Sequence, residues 1–323
     1  MRALVYTGPE AMSVQEVDDP VPGPGEVVVE VEAVGICGSD MHAYLGHDER
    51  RPAPLILGHE VAGRVAGTGR RVTVNPLVTC GRCAACRNGR DNLCPHRQII
   101  SMPPREGGFA QAVAIPERNL VDVPDDVSAE AAALAEPIAC GWHAVRLART
   151  HLDGPPARAL VYGGGAIGLG AALAVRAQGC GAVVLAEPNG LRRAYLRERV
   201  GLDAREPAEV EGDHDLVVDG VGIEATRAGA SAAVRPGGVI AHIGLGSAAG
   251  GLDLRRMTLQ EIAFVGTYTY TADDFRACCT AMWAGRLGPL DWTARRPLDD
   301  GAAAFADVRA GRLAEPKVVL DPR

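Results

Sequence analysis

Residues 158–187 read RALVYGGGAIGLGAALAVRAQGCGAVVLAE, and the order of patterns in this stretch decides the fold. Ala159 to Tyr162 is a short apolar run suited to a buried strand. Ala166 to Gln178 is suited to a helix, and Ala182 to Ala186 to a second buried strand. The turn between the first two, Gly163-Gly164-Gly165-Ala166-Ile167-Gly168, fits G-x-G-x-x-G. Between a strand and a helix, the missing side chains let the backbone turn tightly and approach a pyrophosphate at the positive end of the helix. Glu187, nineteen residues after Gly168, falls at the end of the second strand. A carboxylate there accepts from the adenosine ribose diol of NAD and repels the 2′-phosphate of NADP. Arg192 and Arg193 pull the other way, since a guanidinium can hold that phosphate. The expectation is a dinucleotide site built from Gly163, Gly165, Ala166, Ile167, Gly168, Glu187 and Arg192, with NAD favoured. A glycine-rich turn that binds nothing is the plain alternative.

The same alternation runs outward to Tyr270. Leu191 to Val200 and Glu224 to Val234 read as helices, and Asp215 to Val218, Val239 to Ile243 and Ile262 to Thr267 as strands. Strands covered by helices on both faces form a parallel, doubly wound sheet. From Met1 to about Leu120 the runs are short and β-rich, as in Val27 to Val34, Glu60 to Val65 and Arg71 to Val74, with Pro and Gly turns between them. That pattern predicts an antiparallel domain. Ser128 before Ala129-Glu130-Ala131 reads as a helix cap. Lys317-Val318-Val319-Leu320 is a last strand, expected to rejoin the first domain. The boundaries expected are 1–138, 139–270 and 271–323.

Composition narrows the partners. Lys and Arg number 33 against 40 Asp and Glu, a net charge of −7, so there is no bulk positive field for nucleic acid or an anionic membrane. The long apolar stretch Ala159 to Val175 is broken by five glycines, and no apolar signal region opens the chain. A cytoplasmic enzyme is expected. Nine cysteines in that setting point to metal or thiol chemistry rather than disulfides.

Cys80, Cys83, Cys86 and Cys94 are spaced C-x2-C-x2-C-x7-C. Four thiolates this close can close a tetrahedral structural zinc site and so fold a lobe that has no core of its own. An iron–sulfur site shares the first spacings, but the long last gap and the lack of a second cluster favour zinc. A closed four-thiolate site leaves no open position for chemistry.

A second set is spread more widely: Cys37-Gly38-Ser39-Asp40-Met41-His42, then Gly58-His59-Glu60, then Glu136-Pro137. One thiolate, one imidazole and one carboxylate make a plausible catalytic zinc set with a fourth position open to water or substrate oxygen. Zinc held in this way is a Lewis acid that lowers the pKa of an alcohol. Isolated Cys, His and Glu usually have no metal role, and Cys140, Cys180, Cys278 and Cys279 are read as packing residues.

Together these motifs resemble the zinc-containing medium-chain dehydrogenases, over essentially the whole chain. Glu136-Pro137 is closer to the sorbitol, threonine and galactitol dehydrogenase branch than to alcohol dehydrogenases with a second cysteine there. The resemblance implies a Rossmann-type doubly wound sheet inserted into a mainly antiparallel, GroES-like catalytic domain, and a homodimer or homotetramer. It implies Cys37 and His59 as direct zinc ligands, with Glu60 or Glu136 as the third, and Asp40 orienting His59. Ser39 would take the substrate proton and His42 pass it on. Asp219 to Gly222, Gly244 to Gly246 and Gly266 to Tyr268 would line the nicotinamide pocket, with Gly244 and Thr267 as contacts. The implied reaction is hydride transfer from a secondary alcohol, such as a polyol, sugar alcohol or amino alcohol, to NAD. An NADP-linked reductase and a non-catalytic redox-sensing nucleotide binder are the alternatives. The segments between His59 and Cys80 and from Arg97 to Gln111 are shorter than in many relatives. Asp48, Arg50 and Arg51 lie between the ligand segments, where a solvated loop is favoured over substrate contact.

Overall fold

A computed structural model describes all 323 residues. The chain forms two compact units: Met1–Glu136 with Thr271–Cys279 and Thr293–Arg323, and Pro137–Tyr270 with Thr280–Trp292. The sequence reading assigns all of 271–323 to the first unit, whereas Thr280–Trp292 belongs to the second. Within that unit the Arg286 guanidinium lies 5.9 Å from the Trp142 ring centroid, a cation–π contact that no local pattern announces.

In the first unit the strand Glu26–Gly35 is the hub of a seven-stranded sheet. It pairs antiparallel with Glu60–Val65, Ala112–Pro116 and Lys317–Asp321, and the last of these runs parallel to Thr293–Pro297. Gly35 stands opposite Glu60 on one side and Val319 on the other. Residues from both ends of the sequence thus meet at one strand end. A smaller sheet joins Arg2–Gly8 to Ala11–Glu16 and Leu55–Ile56. The shared core includes Leu4, Val31, Val34, Ile115, Phe109 and Phe305. The Phe109 and Phe305 rings meet edge to face at 5.9 Å, and removing either ring would cost about 3–5 kcal/mol. Gly58, at φ +91°, leaves room for Phe109, whose ring would lie 2.5 Å from an added Cβ. Ser128 caps its helix by accepting from the Ala131 N–H, as its sequence context predicts.

In the second unit six parallel strands lie in the order Asp203–Arg205, Ala182–Ala186, Arg158–Tyr162, His214–Asp219, Val234–His242, Ala263–Gly266. The order reverses on either side of Arg158–Tyr162, the crevice where open α/β sheets bind ligands. Helices Ala166–Ala177, Gly190–Glu198 and Glu224–Ala233 connect the strands. Two details differ from the sequence reading. Val234 starts a strand rather than ending a helix, because it pairs with His214 ahead of a register shift. The edge strand Asp203–Arg205 is only three residues long and charged at both ends, so it carries no apolar alternation to detect.

Candidate metal and nucleotide sites

Cys37, His59 and Glu60 each offer a ligand atom within 4.8 Å of the other two. Sheet pairing explains the convergence, since Cys37 follows the end of Glu26–Gly35 and Glu60 begins the strand beside it. Gly35 is required here: a Cβ on it would lie 1.9 Å from Glu60 Oε2. Asp40, fully buried, accepts from the Cys37 N–H at 3.0 Å and the Gly58 N–H at 3.3 Å, and its Oδ1 lies 3.4 Å from His59 Nδ1. With Nδ1 so engaged, the other ring nitrogen is left for a metal, the arrangement metal-bound histidines require. Burial opposes the Asp40 charge, but His59 and Arg51 hold its pKa below the usual carboxylate value. Burial likewise opposes a charged His59, yet Asp40 and Cys37 win and raise its pKa well above the ordinary imidazole value. A thiol, an imidazole and a carboxylate in a pocket this favourable to positive charge fit a zinc ion.

Lys317 is a component that sequence reasoning missed. Its buried ammonium donates to both Glu60 oxygens, at 2.6 and 2.7 Å, and to the Ile36 carbonyl at 2.9 Å. Burial disfavours this charge, but Glu60 and Cys37 hold its pKa above the usual lysine value. Only a run of strand residues marked it in the sequence. Glu136 is buried near the start of helix Ala135–Arg149 and is not in the ligand group with Cys37 and His59, so the geometry favours Glu60 over it.

Ser39 and His42 lie on the helix Gly38–Tyr44, three positions apart and so on one side of it. Ser39 is half-buried and His42 is exposed, a gradient from pocket to solvent. The loop that follows corrects an expectation. Arg50 is exposed and chelates Asp48, but Arg51 is buried.

The four sulfurs of Cys80, Cys83, Cys86 and Cys94 also lie within 4.8 Å of one another. The helix Ala84–Arg87 opens at Cys83, whose sulfur accepts from the Cys86 N–H. Backbone N–H groups of Arg82 and Cys83 pull the Cys80 thiol down to about 6, while burial and sharing with Cys83 push Cys86 up to about 12. A sulfur cluster receiving backbone donors fits a closed zinc site.

In the second unit the three fingerprint glycines have separate reasons. Gly163 turns at φ +97°, open space surrounds the place of a Cβ on Gly165, and a Cβ on Gly168 would lie 1.8 Å from the Gly163 carbonyl. Glu187 is buried; its Oε2 accepts from Gly164 N–H and its Oε1 from Asn189 N–H, both at 2.7 Å. Arg193 donates to the Glu187 and Pro188 carbonyls and pairs with Glu206, so its guanidinium is committed. Arg192 lies beside the turn, 3.4 Å from the Gly164 carbonyl. At the far strand ends Asp219 ties the Val221 and Gly222 N–H groups, and Gly244 packs where a Cβ would meet Val221 backbone at 2.1 Å. The Thr267 hydroxyl donates to the His242 carbonyl at 3.0 Å. Thr269, two residues on, has φ +46° and a buried hydroxyl with no partner; a non-glycine residue in the left-handed region was the signal to seek, and the sequence does not show it.

The chain is similar to known proteins over nearly its whole length. Residues 23–125 match the alcohol dehydrogenase GroES-like domain, and residues 166–284 match the zinc-binding dehydrogenase family. L-galactonate-5-dehydrogenase of Escherichia coli (strain K12) is 30% identical over 307 residues, covering 89% of this chain and 88% of that protein. Sorbitol dehydrogenase of Bacillus subtilis (strain 168) is 36% identical over 270 residues, 76% of each chain. The crystal structure of a putative zinc-binding dehydrogenase from Sinorhizobium meliloti 1021 bound to NADP superposes with a TM-score of 0.87 at 28% identity, covering 99% of each chain. The chain belongs to the zinc-dependent medium-chain dehydrogenase family, on its polyol dehydrogenase branch. It is an oxidoreductase of the zinc-binding dehydrogenase type.

Proposed function

We propose that this enzyme oxidises one secondary hydroxyl of a polyol or a related sugar-derived alcohol to a ketone, with Cys37, His59 and Glu60 holding the catalytic zinc and Glu187 selecting NAD. The convergence of those three ligand atoms is the observation that carries the reading. Relatives named for sorbitol and L-galactonate support the substrate class. A zinc ion held by these residues would supply Lewis acidity, and a bound nicotinamide dinucleotide would supply the hydride acceptor. Ser39 receives the hydroxyl proton and His42, exposed beyond it, passes that proton to solvent. Asp40 keeps His59 oriented, and Lys317 balances the charge of Glu60. The glycine turn and the N-terminus of helix Ala166–Ala177 bind the pyrophosphate, and Glu187 accepts from the ribose diol. Cys80, Cys83, Cys86 and Cys94 hold the structural zinc.

A reducing compartment such as the cytoplasm suits nine cysteines of which none is in a disulfide, and no helix is long and apolar enough to cross a membrane. A homodimer or homotetramer is supported by the uncharged edge strand Ala263–Gly266, which has a partner on one side only. The test of function is NADH formation with a panel of sugar alcohols, amino alcohols and simple secondary alcohols, together with metal analysis. Polyol-dependent NADH formation, abolished in Cys37→Ser along with one zinc, is expected. Full turnover by Cys37→Ser would overturn the ligand assignment.

A further inference from the structure

Arg51 lies on a loop yet is only 4% exposed. Its guanidinium is held at two of its nitrogens: Nε donates to the Ser101 carbonyl at 2.9 Å, and Nη1 donates to Asp48 Oδ2 at 2.8 Å and to the Ser39 carbonyl at 3.3 Å. A buried guanidinium is costly unless its donors are met by fixed acceptors. This one joins three segments that are apart in the sequence.

Ser101 is unusual in a second way. It is completely buried and sits at φ +70°, a backbone region unfavourable to residues other than glycine. Strain of this kind persists only where surrounding contacts over-determine it, and the Arg51 bond to its carbonyl is one such contact. In this conformation the Ser101 hydroxyl lies 3.2 Å from His59 Nδ1, nearer than the Asp40 carboxylate at 3.4 Å. His59 Nδ1 therefore has two oxygen partners, one on the helix Gly38–Tyr44 and one at Ser101.

We propose that Arg51 and Ser101 are positioning residues for the metal site: Ser101 orients the His59 ring, and Arg51 locks Ser101 to the helix that carries Ser39 and His42. Ser101 shares the Nδ1 proton with Asp40, which fixes the ring plane and leaves the other nitrogen bare for metal. Arg51, through the Ser39 carbonyl, holds the first turn of the relay helix in register with that ring. One side chain thus couples the geometry of the ligand to the geometry of the proton acceptor. Buried and bonded to Ser101, Asp48 and Ser39, Arg51 is not a solvated side chain.

The inference rests on His59 being a zinc ligand. The test follows zinc release from the holoenzyme to a chromogenic chelator and the visible absorption of the cobalt-substituted enzyme. Ser101→Ala should release one of the two zinc ions about tenfold faster and shift the cobalt band, while the four-thiolate zinc leaves at the wild-type rate. Ser101→Gly, which relieves the backbone strain but also lacks the hydroxyl, should show the same faster release and shifted band, and wild-type behaviour there would overturn the role of the hydroxyl. Arg51→Gln should reproduce the faster release and also lower kcat without raising KM for NAD. Wild-type release and an unshifted band in Ser101→Ala would overturn the proposal, as would equal acceleration of both ions, which would mark general loosening. His59→Ala separates the two levels: retention of both zinc ions there would overturn the ligand reading itself.

Discussion

The ammonium of Lys317 bridges the two carboxylate oxygens of Glu60 at 2.6 and 2.7 Å, across 257 positions of sequence. Both side chains are almost wholly shielded from water. Lys317→Met would leave the Glu60 charge buried without its cation and should cost about 3–5 kcal/mol in urea unfolding of the first unit. Adding Glu60→Gln should recover much of that loss, and full additivity of the two substitutions would show that the pair is not coupled.

Gly168→Ala should abolish nucleotide binding. The added methyl would sit 1.8 Å from the Gly163 carbonyl, and backbone on both sides leaves nothing flexible to yield. NADH fluorescence titration should show no binding, with zinc content unchanged. Tight binding by this variant would contradict the packing.

Glu187→Ser removes the carboxylate expected to meet the ribose diol. The ratio of kcat/KM for NAD over NADP should fall by about tenfold or more, the size of one charge-assisted hydrogen bond. An unchanged ratio would remove Glu187 from cofactor selection and leave Arg192 to explain any preference.

Cys86→Ser should lower the zinc content from two ions to one and expose residues 80–94 to proteolysis, because that lobe depends on its four sulfurs. The remaining ion should be the one at Cys37 and His59. Loss of both ions would show that the two sites fold as one.

Asp215 provides a pH test. Burial opposes its charge, but the Arg158 N–H, the Arg235 guanidinium and the Ala157 N–H hold its pKa below the usual carboxylate value. A carboxyl depressed in the folded state stabilises at pH above its unfolded value, about 3.9, and loses that contribution as pH falls through the folded one. Asp215→Asn should cost about 1 kcal/mol near neutrality, and the gap from wild type should close below about pH 4. A gap that does not change with pH would assign the effect to packing.

What the sequence reveals follows the range of the contacts. The strand, glycine turn, helix and next strand around Gly163 are local, and their patterns survive in the structure almost residue for residue. The four cysteines of the lobe fall within fifteen residues, so spacing alone suggests their meeting. Cys37 and His59 needed the likeness to known dehydrogenases, because only sheet register brings them together. Lys317, Arg51 and Ser101 were invisible for a stronger reason: each acts through partners at least twelve positions away. A charged residue in a proline-rich loop reads as solvated unless its distant acceptors are known. The placement of Thr280–Trp292 escaped for the same reason.

The return of the strand Lys317–Asp321 to Glu26–Gly35 also sets a timetable for biosynthesis. Residues 137–270 form an almost self-sufficient body in one continuous piece and can fold as they leave the ribosome. The body begun earlier has to wait, because the carboxylate of Glu60 has no counter-ion until the polypeptide has passed through the whole nucleotide-binding region and come back. The first-made part is therefore the last to be completed, since its sheet and the Glu60 ion pair close only with the final strand.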